Sequence, residues 1–307
     1  MRAILKLIGI ALGLFILLMI LTGIVSFIRN SWFGASDKSS SNHVKVLELS
    51  GMITTSAPLL EDIKETLENK HAKAIVLRIN SPGGLVAPSQ EIYDAIKKAD
   101  AKIPVVISMG SVAASGGYYA AMGGRKIWAN AGTLTASIGV IMEFMNTKKL
   151  YEWAKLDRFA ITSGKFKDAG SPLKVMTPED KALFQTMVKD IYSQFRNTVK
   201  ERRKLGEKEL DDTTDGRVVT GSQALEAKLV DALGGLEEAI ADAKTMAKLP
   251  ADAAVVYPPK PQGYLRRFLL GDDEEASSKL ASSLAQTAET LSAPTAAWRI
   301  LWLAPVY

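Results

Sequence analysis

Three short apolar runs, VKVLEL (residues 44–49), AIVLRI (74–79) and VVIS (105–108), alternate with two amphipathic stretches, LLEDIKETLENK (59–70) and SQEIYDAIKKA (89–99). Runs this short and rich in Val and Ile read as buried strands, and apolar residues at helical spacing read as helices that cover them. Strand, helix, strand repeated at this spacing implies parallel pairing with helical crossovers. The expected fold class is therefore α/β, with a parallel-sheet core. Further strands are expected over KIWA (126–129), SIGVIM (137–142) and RFAITS (158–163). A long helix is expected over 177–204, opened by Thr177 with Pro178, Glu179 and Asp180 in its first turn. Two more helices are expected over 221–230 and 235–247.

Before this pattern lies a segment of another kind. Residues 7–28 carry no charged side chain, and at 1.5 Å per residue they match a hydrocarbon core of roughly 30 Å. A cleavable signal peptide has an apolar region of only about 7–15 residues, so a retained transmembrane anchor over 1–29 is the expectation. Arg2 and Lys6 on one side balance Arg29 and Lys38 on the other, which leaves orientation unspecified. Gly9 and Gly13 form a GxxxG spacing that could bring two such helices together. Residues 30–42 are polar and serine-rich, a flexible linker, and the folded domain is expected over 43–248.

From 249 to 307 the composition changes to a proline-rich connector (257–263), a polar helix candidate (272–291) and the apolar stretch AAWRILWLAPVY (296–307). That last stretch is too short to span a bilayer and contains Arg299, so it is expected to dock on its own chain or a neighbouring subunit, with a membrane-interface position as the alternative. The net charge of +5 is spread along the chain apart from Arg202, Arg203 and Lys204. Without an aromatic-interleaved basic stripe, nucleic acid is not expected as a partner.

The chain has no cysteine and two histidines, which narrows the chemistry open to it. Thiol nucleophiles and disulfides are excluded, so an acyl-transfer site would use serine or threonine. His43 follows the linker and His71 ends a polar helix, both settings for solvated histidines rather than for a catalytic base. Lysine is the remaining base, provided burial lowers its pKa from about 10.4 toward neutrality. Ser115 lies in GSVAASGGYYAA (110–121), after a strand and before what reads as a helix whose first amides would face its hydroxyl. Ser108 and Ser111 share that neighbourhood, and local context does not choose among the three. INSPGG (79–84), leaving the carboxyl end of a parallel strand, is suited to aim backbone amides at an oxyanion.

INSPGG, SMGSVAASGGYYAA, LTASIGVI (134–141), ITSGKFKD (161–168) and RVVTGSQALEAKLVDALGG (217–235), in this order, resemble the short form of the signal peptide peptidase A family. The resemblance covers roughly 43–248 and implies the fold shared by Clp protease and crotonase. Carried over residue by residue, it implies Ser115 as nucleophile and Lys167 as general base. It further implies the amides of Gly83 and Gly116 as oxyanion donors, and Ser137 as the residue that helps hold the lysine. Lys165, two residues before Lys167, is the rival base. Where the family usually has T-G-S-I-G, this chain reads T-A-S-I-G, with Ala136 at the glycine position.

The resemblance implies a membrane-bound serine peptidase that needs no metal or other cofactor. Its substrates would be signal-peptide remnants and other membrane-associated peptides, its catalytic domain extracytoplasmic, and its assembly a ring- or dome-like homo-oligomer. The competing readings are a membrane-tethered interaction protein without turnover and an acyl-CoA enzyme of the crotonase fold.

Overall fold

The computed structural model describes residues 41–258 together with the strand 301–303. The expected anchor, most of the linker and the polar helix candidate lie outside the described residues. Among the described residues, no helix is long and apolar enough to cross a membrane.

The chain begins with β1 (His43–Ser50), α1 (Ala57–Glu68), β2 (Ala72–Ser81), β3 (Gly83–Leu85) and α2 (Val86–Asp100). It continues through β4 (Val105–Ala114), α3 (Gly116–Ala121), β5 (Lys126–Ala129) and β6 (Leu134–Ala136). There follow α4 (Lys148–Trp153), α5 (Pro178–Arg203), α6 (Glu207–Thr213), β7 (Val218–Thr220) and α7 (Gly221–Glu226). Last come β8 (Ala232–Leu233), α8 (Leu236–Met246), β9 (Ala254–Val256) and β10 (Leu301–Leu303).

The central sheet runs β7-β6-β4-β2-β1-β9, with β5 and β8 attached beside β4. β1, β2 and β4 pair in parallel, as the crossovers required. The one departure from parallel pairing within this sheet is β6 against β7, which is antiparallel. β4 is long enough to divide its second edge: residues 106–108 pair with β5 and residues 112–114 with β6. This division carries the end of β4 forward to the turn at Ser115.

Strand periodicity sorts the core onto two faces. Val44, Val46, Ala74, Val76 and Val106 pack under Ala239, Ile240 and Ala243 of α8. Leu47, Leu49, Ile75, Leu77, Ile79 and Ile107 face Leu59, Ile63, Ile92, Ile96, Phe195 and Val199 from α1, α2 and α5. Burying each such side chain contributes about 1.5–3 kcal/mol. The long helix begins as expected: Thr177 Oγ1 accepts from the Asp180 N–H while Asp180 Oδ2 accepts from the Thr177 N–H.

Four expectations need correction. SIGVIM does not continue as a strand, because Ala136 and Ser137 take φ of 62° and 49° and turn the chain out of the ladder. RFAITS forms no strand; Phe159 and Ile161 are 85% and 93% exposed and have no ladder to join. The helix expected over 221–230 stops at Glu226, where the backbone turns and Lys228 reaches φ 59°. His43 is buried rather than solvated: β1 starts with it, between β2 and β9, and Nδ1 lies 3.0 Å from the Ser41 carbonyl.

Candidate active site

Ser115 occupies the single residue between β4 and α3, with φ 53° and ψ −118°. A non-glycine residue held there stores roughly 1–3 kcal/mol of strain and persists only where its surroundings fix it. Here the Ser115 N–H donates to the Ala136 carbonyl at 2.8 Å, and the Ser115 carbonyl accepts the first helical bond from Tyr119 N–H at 2.8 Å. The side chain is fully buried, and its Oγ has no hydrogen-bond partner among the described residues. The other two serines differ. Ser108 Oγ accepts from Arg78 Nη1 at 2.8 Å, and Ser111 is exposed along β4. Geometry thus separates three residues that local sequence left equivalent.

The glycine turn reaches the same place from β2. Gly83, at φ 104°, donates its N–H to Ser81 Oγ at 3.1 Å and is thereby engaged within its own turn. Gly84 is placed differently. The Gly83 carbonyl and the Leu85 N–H are both bonded to Ile53, at 2.9 and 2.7 Å, so the N–H and carbonyl of Gly84 face the opposite edge of β3. A side chain at Gly116 would come within 3.3 Å of the Gly84 nitrogen and 2.5 Å of Ser89 Oγ, so glycine at 116 keeps that space open. Ser89 donates to the Leu85 carbonyl at 2.8 Å and so ties α2 to the end of β3. In the sequence Ser89 reads only as a helix residue; its proximity to Gly116 depends on the fold. The N–H groups opening α3, Gly116 included, lack partners within the helix and lie beside the same opening.

The remaining predicted residues lie beyond β6. Ser137 is buried and its N–H donates to the Arg217 carbonyl at 2.9 Å. Lys167 is exposed in a series of turns, with its N–H bonded to the Gly164 carbonyl at 3.1 Å. The next residue, Asp168, holds Lys174 Nζ at 2.8 Å, and Lys174 also lies 3.5 Å from Asp180 Oδ2 at the start of α5. The Asp168 hydrogen bond is the main reason that the Lys174 ammonium is held above its ordinary pKa. Asp180 is held below the usual carboxylate value, first by the Thr177 backbone N–H and then by the Thr177 hydroxyl and Lys174. Lys165 rests over the Phe166 ring at 5.2 Å. The structure therefore gathers Ser115, Gly84 and Gly116, with Ser137 nearby in the chain following Ala136, but does not bring Lys167 within hydrogen-bond reach of Ser115.

A parallel α/β sheet with a strained serine at a strand-to-helix turn, facing a glycine strand, has the form of a Clp-protease-like serine hydrolase. Comparison with known proteins agrees: the Clp protease profile matches residues 57–135, and that of peptidase family S49 matches residues 97–250. A protein of Synechocystis sp. that carries a protease name is 40% identical over 77% of this chain and 86% of its own length. The chain belongs to peptidase family S49 and is a serine peptidase. The serine protease SPPA of Arabidopsis thaliana chloroplasts is 37% identical over 68% of this chain, and Protease 4 of Salmonella typhi is 35% identical over 61%. The chain spans only 31% and 30% of those two longer proteins.

Proposed function

We propose that Ser115 is the nucleophile of a Ser/Lys peptidase whose base is Lys167 and whose oxyanion donors are the amides of Gly84 and Gly116. The observation that carries this reading is the fully buried Ser115 Oγ, without a partner among the described residues, in a strained turn close to Gly84 and Gly116. Neutral Lys167 takes the Ser115 proton as Oγ attacks a peptide carbonyl. The oxyanion forms against the two amides, the amine leaves with a proton from the lysine, and water then releases the acyl group. Gly84 replaces Gly83 in this scheme because the Gly83 N–H is already given to Ser81.

Lys167 reaches Ser115, in this proposal, from a second copy of the chain. In the segment that precedes it, Trp153, Phe159 and Ile161 are between 81% and 93% exposed, apolar side chains available for contact between copies. Covering by a second copy would also supply the desolvation that a lysine base requires. The anchor expected over 7–28 and the family resemblance favour signal-peptide remnants and other membrane-associated peptides as substrates, cleaved on the extracytoplasmic side. Membership in a peptidase family sets aside the acyl-CoA reading.

The test is peptide hydrolysis by wild type, Ser115→Ala and Lys167→Ala, each alone and then the two variants mixed. Each variant alone should be inactive, and the mixture should recover a fraction of wild-type activity. Full activity in either variant alone would overturn the dyad.

A further inference from the structure

β2 and β4 run in register from Ile75 opposite Val105 to Ile79 opposite Met109, and pair again at Ser81 opposite Ala113. Between those points β2 advances two residues and β4 four, so Gly110, Ser111 and Val112 stand opposite Asn80. A ladder bulged in this way leaves backbone groups of the longer strand without their usual partners. Side chains supply them here. Asn80 Oδ1 accepts from the Val112 N–H at 3.2 Å, and the Gly110 and Ala113 carbonyls each accept from a threonine hydroxyl, Thr133 and Thr135, at 2.7 Å. A Cβ at 110 would lie 3.1 Å from Asn80 Oδ1 and 3.2 Å from its Cγ, so glycine there lets the Asn80 side chain lie close over the bulge. Of these three bonds, the one from Val112 to Asn80 alone joins the bulge to β2.

We propose that Asn80 is a positioning residue for the nucleophile: its carboxamide fixes how far β4 overruns β2, and so where Ser115 stands relative to the Gly84 amide. The proposal rests on the reading of Ser115 and Gly84 given above. Both strands end at the site. β2 enters it through Ser81, whose Oγ accepts from the Gly83 N–H at 3.1 Å, and β4 enters it at Ser115, three residues after Val112. Asn80 and Ser81 are consecutive, so one short stretch holds the glycine turn with one side chain and the serine strand with the next. A whole-residue slip of β4 would move Ser115 by about 3.3 Å, and a partial relaxation of the bulge would move it by a fraction of that. A displacement of about 1 Å between reacting groups is enough to cost roughly a hundredfold in rate. Asn80 is itself exposed, so truncating it opens no cavity in the core.

The experiment compares Asn80→Ala, which loses the acceptor, with Asn80→Asp, which keeps one at the same place, in the full chain in detergent. The readouts are hydrolysis of a dansyl-labelled alanine-leucine octapeptide and hydrogen exchange at the Val112 amide. Asn80→Ala should lower kcat roughly ten- to a hundredfold with KM within about twofold of wild type, and should speed Val112 exchange. Asn80→Asp should restore both the rate and the protection. Unchanged Val112 exchange in Asn80→Ala would overturn the proposal, as would faster exchange with kcat intact, or a loss carried by KM alone. Failure of the nucleophile reading is distinguishable: it shows as hydrolysis that survives in Ser115→Ala, while Val112 exchange in that background still responds to Asn80→Ala.

Discussion

The Ser115 N–H donates to the Ala136 carbonyl at 2.8 Å, and both residues stand at positive φ, 53° and 62°. One bond thus joins two strained positions, and the strain at one is held in place partly by the other. Ala136 is buried, and glycine in its place would carry no penalty in this region of backbone space. A left-handed alanine costs about 1–2 kcal/mol, of which glycine's greater unfolded-state entropy returns part. Ala136→Gly should therefore stabilise the chain by about 0.5–1 kcal/mol, read as a raised urea midpoint with unchanged slope. A lowered midpoint would show that the turn is not strained at this residue.

Ser115→Ala should abolish peptide hydrolysis while leaving the fold intact. Because Oγ is buried without a partner among the described residues, its removal relieves a desolvated hydroxyl and should raise stability by up to about 1 kcal/mol. Loss of activity with a higher melting temperature is the expected pair of results, and a destabilised variant would mean that Oγ has a partner the site depends on.

At Gly84 an added Cβ would lie 2.1 Å from the Ile53 carbonyl oxygen, which is backbone and cannot move aside cheaply. Gly84→Ala should displace β3 and reduce kcat/KM by about a hundredfold or more, the scale of losing one oxyanion donor. Gly132→Ala, with nothing within 4 Å of the new methyl, is the control and should change stability by no more than about 0.5 kcal/mol.

Asp180 links Lys174, and through it Asp168, to the head of α5. Its folded pKa lies below the ordinary 3.8, with the Thr177 backbone bond the largest cause. A depressed carboxylate contributes stability that is present above its unfolded value and is lost as pH falls through the folded value. The difference in urea midpoint between wild type and Asp180→Asn should thus be full near neutrality and shrink below about pH 4. A difference that grew in acid would reverse the assigned sign.

The sheet and its crossovers were legible because β1, β2 and β4 are largely buried on both faces and correspondingly rich in apolar residues, whereas α1 and α2 need only one apolar face. Legibility failed where one residue's backbone decided the outcome. Nothing in SIGVIM announces that Ser137 turns, and nothing in INSPGG tells Gly83, satisfied by Ser81, from Gly84, which faces the opposite edge. RFAITS misled for another reason: apolar content was read as burial in a sheet, but Phe159 and Ile161 lie on an exposed surface. Ser115 was legible as a candidate from the strand-to-helix junction alone. Its distinction from Ser108 came from the family resemblance and not from local context; in the structure the two differ by the Arg78 contact to Ser108, which spans 30 residues of sequence.

His43 and His71 stand at the beginnings of β1 and β2, and the Ser115 turn stands beyond the end of β4, which runs parallel to them. Both histidines of the chain are thus separated from the serine by the length of the sheet. Haloketone reagents that inactivate peptidases by alkylating a neighbouring imidazole would find none to capture here. Compounds that bond to the hydroxyl oxygen itself, such as boronates and fluorophosphonates, are the chemical class from which selective inhibitors of this chain should be drawn.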